Sequence, residues 1–279
     1  MKEPGQVLSE IEKRIIDSHV HIWPDSLSRK NLENIKNQSG ISPAFDGTVV
    51  SLHDSMKKSG VSISMINNIV HNPNLVRKAN DWTAAAIVNQ KDLIGMGWVI
   101  AGLDKSVEEV TRCVSELKFK GVKMHHSHSK IFPDDAKNYP IYEVISELGI
   151  PVLFHCGKNP YSKTSPIQHS APVRFQQVLA SFQKLKAIMG HLAGYEDYPN
   201  DAVDILQKFK NVKADTALAE PSRVEFEKLV EQIGAEKFVF GSDYPIYDPG
   251  YLVSWLEKSL PKDQFNLITR VTPTEFFGI

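Results

Sequence analysis

Cysteine is nearly absent: Cys113 and Cys156 are the only two in 279 residues. Two thiols 43 positions apart form neither a disulfide framework nor a zinc–cysteine motif, so a reducing, cytoplasmic setting is expected. Long apolar runs are missing too. None approaches the roughly 20 residues that a membrane-spanning helix needs, and the polar opening MKEPGQVLSEIEK lacks the apolar core of a secretion leader. Charge of one sign is not in excess. With 32 basic and 33 acidic residues the formal net charge is -1, which leaves no electropositive footprint for a nucleic acid. No Gly-rich dinucleotide fingerprint or phosphate loop follows any apolar run, and there is no internal repeat, low-complexity tract or second-domain linker.

What remains is an ordinary globular composition, 42% hydrophobic and 23% charged, which suits one large domain over residues 1–279. Eight short apolar runs alternate with amphipathic stretches: RIIDSHV, VSISMINNIV, DLIGMGWVI, FKGVKMH, IPVLFHC, KAIMGH, NVKADTA and EKFVFGSD. Between them, segments such as VEEVTRCVSELKF and RVEFEKLVEQIG repeat apolar residues every three or four positions, the spacing of one buried helix face. Strands alternating with helices predict parallel β/α units. Eight of them fit a closed α/β architecture, a (β/α)8 barrel, with an open doubly wound sheet as the alternative. A long insertion, residues 23–60, follows the first run, and a second follows the fourth; both would overhang the barrel mouth.

The runs end on unusual residues. Alternate strand positions share a face, so Asp17, His19 and His21 point one way and Ser18 and Val20 the other. Two imidazoles on one face can hold one cation, although an H-x-H pair alone is equally a pair of core or surface rings. The other runs change that balance: His155 closes the fifth, His191 the sixth and Asp243 the eighth. Each is a metal ligand or acid–base group by residue type, and four strands share the pattern.

The segments IIDSHVHI, GVKMH, PVLFHCG, GHLAG and FGSDYP resemble the signature segments of the amidohydrolase superfamily. More narrowly they resemble its amidohydrolase-2 branch, which contains aminocarboxymuconate-semialdehyde decarboxylase and metal-dependent TIM-barrel hydrolases. NDWTAAAIVNQKDLIGMGWV is similar to the segment leading into that family's third strand, so the likeness spans nearly the whole chain. It implies a TIM barrel and a single divalent metal held by His19, His21, His155 and Asp243. Zinc leads for this nitrogen-rich set, with manganese and iron as alternatives. Asp243 and His191 would be catalytic: Asp243 orients the water and accepts its proton, while His191 polarises the electrophile or shuttles the proton.

Lys123 shares a face with His125. It contributes charge beside the substrate, or, as in binuclear relatives, is carboxylated and bridges two metals, or is merely solvated. Lys123, His125, Trp23 and Arg174 are taken as substrate-binding candidates; Lys158 and Arg223 are further cations near the expected mouth loops. Asp17 reads equally as an acceptor orienting a ligand ring and as a carboxylate bonded to backbone. His53 and His71 are expected in loops or at the surface, His126 away from the site, and His128 against substrate or nothing. Cys156 cannot meet His155, because adjacent strand residues face opposite sides, so it is read as packing.

The function these readings favour is metal-dependent hydrolysis of an amide, lactone or ester carbonyl in a small molecule. The alternative is metal-dependent nonoxidative decarboxylation of a small carboxylic acid, which a pocket arginine would favour; a barrel without catalysis is a third. No nucleic-acid or membrane partner is expected, and the resemblance admits a homodimer.

Overall fold

A computed structural model describes residues 14–158, 167–217 and 225–279. Its strands are β1 (Ile15–Val20), β2 (Val61–Ile66), β3 (Leu93–Gly95), β4 (Gly97–Trp98), β5 (Val122–Met124), β6 (Pro151–Phe154), β7 (Lys186–Met189), β8 (Val212–Asp215) and β9 (Phe238–Val239). All paired neighbours are parallel, in the order β1-β2-β3 and β4 through β9. Between them run α1 (Asp25–Ser39), α2 (Val49–Ser59), α3 (Val76–Ile87), α4 (Lys105–Ser115), α5 (Tyr139–Leu148), α6 (Phe175–Ser181), α7 (Pro199–Lys208), α8 (Phe226–Ile233), α9 (Pro249–Ser259) and α10 (Thr272–Phe277).

The eight expected runs are all present, but the third makes two strands rather than one. It breaks at Met96, between Gly95 and Gly97. A side chain at 95 would strike the Phe119 ring and one at 97 the Cys113 sulfur, so both positions accept only glycine. The break does not open the wall. Met96 N–H donates to Ile66 C=O at 2.7 Å and Gly97 N–H to Gly121 C=O at 2.9 Å, tying the two sheets together. The other gap closes between β1 and the segment after β9: Ser18 N–H donates to Phe240 C=O, Asp243 N–H to His19 C=O and His21 N–H to Tyr244 C=O, at 2.7–2.8 Å. The strands therefore form a closed barrel, which leaves no sheet edge exposed.

Two apolar layers hold it. The larger lies between the barrel wall and its helices, and includes Val20, Leu52, Val110, Phe154, Phe175, Phe226, Leu252 and Ile268. The smaller fills the barrel interior with Ile16, Ile63, Met65, Met96, Leu153, Ile188 and Val239, stoppered from below by Phe276 and Phe277 of α10. Strand alternation then carries the interior face upward from Leu153 to His155 and from Val239 through Gly241 to Asp243. The apolar stopper thus ends where the titratable residues begin.

The insertion after β1 is largely helical. α2 packs into the larger core through Leu52 and Met56. α1 does not; its only buried residues are Ser28 and Ser39, and none of its side chains belongs to a core cluster. It ends at Gly40, in the left-handed conformation at φ 78° that favours glycine at a helix terminus.

Ile188 is fully buried in the interior layer. Ile188→Ala is expected to lower unfolding stability by about 2–5 kcal/mol, the usual cost of emptying such a position, read from urea unfolding.

Candidate active site

A cavity of about 730 Å³ opens at the C-terminal ends of the strands. That is within the usual size range of a small-molecule site. Its floor carries His19, His21, Lys123, His125, His155, His191 and Asp243, while α1 overhangs it with Asn31, Asn34, Ile35 and Gln38. Both insertions reach the mouth, as expected.

His19, His21 and Asp243 converge: one ligand atom from each lies within 4.8 Å of the others. Asp243 Oδ1 sits 3.1 Å from His21 Nε2 and 3.5 Å from His19 Nε2. Asp243 has a left-handed backbone, φ 59°, held by its N–H to the His19 carbonyl. Burial would raise the Asp243 carboxyl, but the His19 and His21 rings outweigh it and hold the group below the usual carboxylate range.

The hydrogen bonds assign the imidazole tautomers, because a carbonyl oxygen can only accept. His21 Nδ1–H donates to Asn67 C=O at 2.6 Å, which leaves Nε2 as the nitrogen turned to Asp243. His191 Nδ1–H donates to Ala217 C=O at 3.0 Å; its Nε2 therefore accepts from His155 Nδ1–H at 3.1 Å. That leaves His155 Nε2 bare, buried and without a hydrogen-bond partner. His19 Nδ1–H donates to Asp215 Oδ2 at 2.8 Å, and its Nε2 accepts from Lys123 Nζ at 3.0 Å. Burial, with Lys123 next, pushes His19 well below its ordinary pKa, and burial with His191 does the same for His155. The Nε2 atoms of His19 and His21 gathered on one carboxylate, and a bare buried nitrogen on His155, are a nitrogen-rich donor set that fits a divalent cation. His155 lies outside the tight three-residue group.

Lys123 is 1% exposed, and burial lowers its pKa to about 8 against the upward pull of Asp215 and Asp243. His125 stacks face to face on His155, with ring centroids 3.8 Å apart and planes 8° apart. His128 packs on His125 and His71 on His128, at 3.7 and 4.2 Å. His71 and His128 therefore line the cavity, His71 from an exposed loop as expected. His126 points away, donating through Nδ1 to Ile131 C=O, as expected. His53 pairs with Asp92 at 3.3 Å, outside the cavity.

Trp23 lines the cavity under the insertion. Arg174 does not: its guanidinium pairs with Asp134 at 3.4 Å and lies over the Phe132 ring at 4.4 Å, with the side chain 46% exposed. A nearby acidic partner and an aromatic face draw it out of the mouth. Lys158 stands at the rim, paired with Asp197 at 3.1 Å. Arg223 falls outside the described residues. Cys156 lines the cavity, but its thiol contacts Ala193 C=O at 3.3 Å and burial pushes its pKa far up, so it is inert.

Asp17 resolves to the backbone-bonded reading. It accepts from Ser242 N–H at 2.9 Å, Ser242 Oγ at 2.5 Å and His19 N–H at 3.2 Å, and makes no ring contact. The carboxylate that holds a ring is Asp215, at the end of the seventh run. It also accepts His191 N–H at 2.7 Å and Ala217 N–H at 3.2 Å. NVKADTA carries a carboxylate near its C-terminal end, as other site-forming runs carry a histidine or aspartate, and that signal was the one available.

With this geometry established, the chain can be placed. The barrel with a polar, histidine-rich mouth defines a (β/α)8 enzyme scaffold. Residues 16–279 match the family model described as Amidohydrolase, and the chain belongs to that family, the amidohydrolase-2 branch. No curated protein matches the sequence. Among solved structures it resembles an uncharacterized TIM-barrel protein from Bordetella bronchiseptica, with TM-score 0.78 and 17% identity over 95% of this chain and 98% of that one. It also resembles a dihydroxybenzoic acid decarboxylase from Polaromonas with bound manganese and 2-nitroresorcinol, with TM-score 0.73 and 16% identity over 95% and 97%. A 5-carboxyvanillate decarboxylase from Novosphingobium aromaticivorans, complexed with manganese, has TM-score 0.73 and 15% identity over 97% of both chains.

Burial raises the Asp17 pKa from 3.8 to about 7. A folded-state pKa above the unfolded one favours folding at low pH, and the advantage disappears as pH rises through the folded value. In metal-free protein, the stability of wild type minus that of Asp17→Asn should therefore fall between about pH 4 and pH 7 and level off above. Denaturant unfolding across that range reads the difference.

Proposed function

We propose that this chain is a metal-dependent enzyme that removes carbon dioxide, without oxidation, from a small carboxylic acid. The observation that carries the reading is Lys123, a fully buried ammonium on the cavity floor, 3.0 Å from His19 Nε2 and beside the His19–His21–Asp243 group. A fixed positive charge in a water-poor cavity is a counter-ion for a carboxylate or an acidic hydroxyl. The decarboxylases of similar fold, complexed with small aromatic acids or their analogues and in two cases with manganese, support the same choice.

His19, His21, Asp243 and His155 would hold one divalent ion. Such an ion supplies a Lewis-acid anchor for substrate oxygens. The chain's own residues do the rest. Lys123 Nζ orients the substrate's anionic group. His191 takes up and returns a proton at Nε2, because its Nδ1 is committed to Ala217 C=O. His125, packed between His155 and His128, adds no charge to the cavity floor, since burial holds it well below its ordinary pKa. Trp23 and the α1 side chains line the mouth above them.

Hydrolysis is the second reading, favoured by a specific observation: among the described residues no arginine lines the cavity. There Asp243 would accept a proton from an attacking water, and the carbonyl would point toward Lys123.

Enzyme reconstituted with Mn²⁺ or Zn²⁺ should release CO2 from hydroxybenzoate-type acids and leave lactones, esters and amides intact; the opposite pattern would establish hydrolysis. His191→Ala should keep about one metal per chain by elemental analysis yet lose roughly 10²–10⁴-fold in turnover, the usual share of a proton-transfer group. Asp243→Ala should lose the metal itself.

A further inference from the structure

We infer that Asp215 is a positioning residue that sets the protonated nitrogen of His19 and anchors the His191 loop with one carboxylate. For its consequence on metal affinity the inference rests on the reading of His19 as a ligand; the tautomer itself does not.

Asp215 is completely buried at the end of β8, 196 positions from His19 in sequence. Its two oxygens have separate duties. Oδ2 accepts the Nδ1–H of His19. Oδ1 accepts two backbone donors, His191 N–H and Ala217 N–H. The first of these holds an uncommon stretch of chain. His191, Leu192 and Ala193 are three consecutive non-glycine residues in left-handed conformation, at φ 57°, 50° and 57°. L-residues are disfavoured in that conformation, so the loop needs an anchor at its start. Gly241 packs against both partners: a Cβ there would come within 3.0 Å of the Cβ atoms of Asp215 and His19, so glycine at 241 leaves the pair undisturbed.

The far side of His19 completes the restraint. Lys123 Nζ has only protons to offer at Nε2 in its ammonium form. Asp215 has only lone pairs to offer at Nδ1. Together they leave one arrangement, Nδ1–H with a bare Nε2, which is the form a metal ligand requires.

Asp215→Asn separates these duties. The amide oxygen must remain on the two backbone N–H groups, so the amide NH2 faces His19 Nδ1 and donates to it. His19 then carries its proton at Nε2, where a metal would bind, with Lys123 as the neutral amine that accepts it. The substitution keeps size and loop anchor while it inverts the tautomer.

The test is long-range ¹H–¹⁵N NMR of histidine-labelled, metal-free protein near pH 8, with His19 assigned by a His19→Gln spectrum, alongside Mn²⁺ titration and thermal unfolding. Wild type should show His19 as Nδ1–H and Asp215→Asn as Nε2–H. Mn²⁺ affinity should fall about 10–100-fold, the usual cost of losing such a partner, with little change in melting temperature. An unchanged His19 tautomer in Asp215→Asn would overturn the inference. A switched tautomer with unchanged Mn²⁺ affinity would uphold it and remove His19 from the ligand set. Lys123→Met gives an independent check should Asp215→Asn not fold. With the ammonium gone, Asp215 alone should keep His19 as Nδ1–H, and reversion to the Nε2–H form that free histidine prefers would refute the assignment.

Discussion

The mouth of this barrel depends on how the sheet closes. Three backbone hydrogen bonds join β1 to the segment that follows β9, and they bring His19 and His21 beside Asp243, more than 220 residues along the chain. Because these contacts are main chain to main chain, the donor group is located by the barrel rather than by mobile side chains. Asp243 illustrates the dependence: its left-handed φ is disfavoured locally, and its N–H bond to the His19 carbonyl is part of the closure that holds it there. Opening the sheet at this seam would dissolve the group, even with every side chain in place.

Above the apolar stopper, the interior stacks titratable groups that burial alone would penalise. The structure answers with directed hydrogen bonds. Each of four rings, His19, His21, His155 and His191, has its Nδ1 committed to an acceptor, so that Nε2 is the free face or the face turned to a neighbour. For His19 and His155, which burial pushes well below the ordinary pKa, a neutral imidazole with an assigned tautomer costs far less in a low dielectric than an imidazolium ion. The same logic explains why His125 and His155 stack as neutral planes.

Much of this was legible in the chain itself. Period-two alternation placed His19 with His21, and the polar closure of apolar runs singled out His155, His191 and Asp243. The break at Met96 was not legible, because GMG within an apolar run reads as a strand until the Phe119 and Cys113 side chains that exclude substituents at 95 and 97 are known. Asp215 was missed for another reason. Its meaning lies in contacts 24 and 196 positions away, while Asp17, two residues from His19 and on its face, was the nearer candidate. Arg174 failed as a mouth residue since its partners Asp134 and Phe132 are nonlocal as well. Backbone periodicity reports which face a residue takes; it is silent on which neighbour waits there.

One feature of the insertion bears on how such a protein changes over time. α1 covers the cavity yet gives nothing to the core, being fastened by Ser28 to the Asp46 carbonyl and by its capped end. The wall that faces a ligand and the interior that keeps the chain folded are therefore separate stretches of sequence. Substitutions along Asn31, Asn34, Ile35 and Gln38 alter the first without taxing the second. Descendants of this chain can drift toward new ligands through one helix, while the barrel beneath stays as it is.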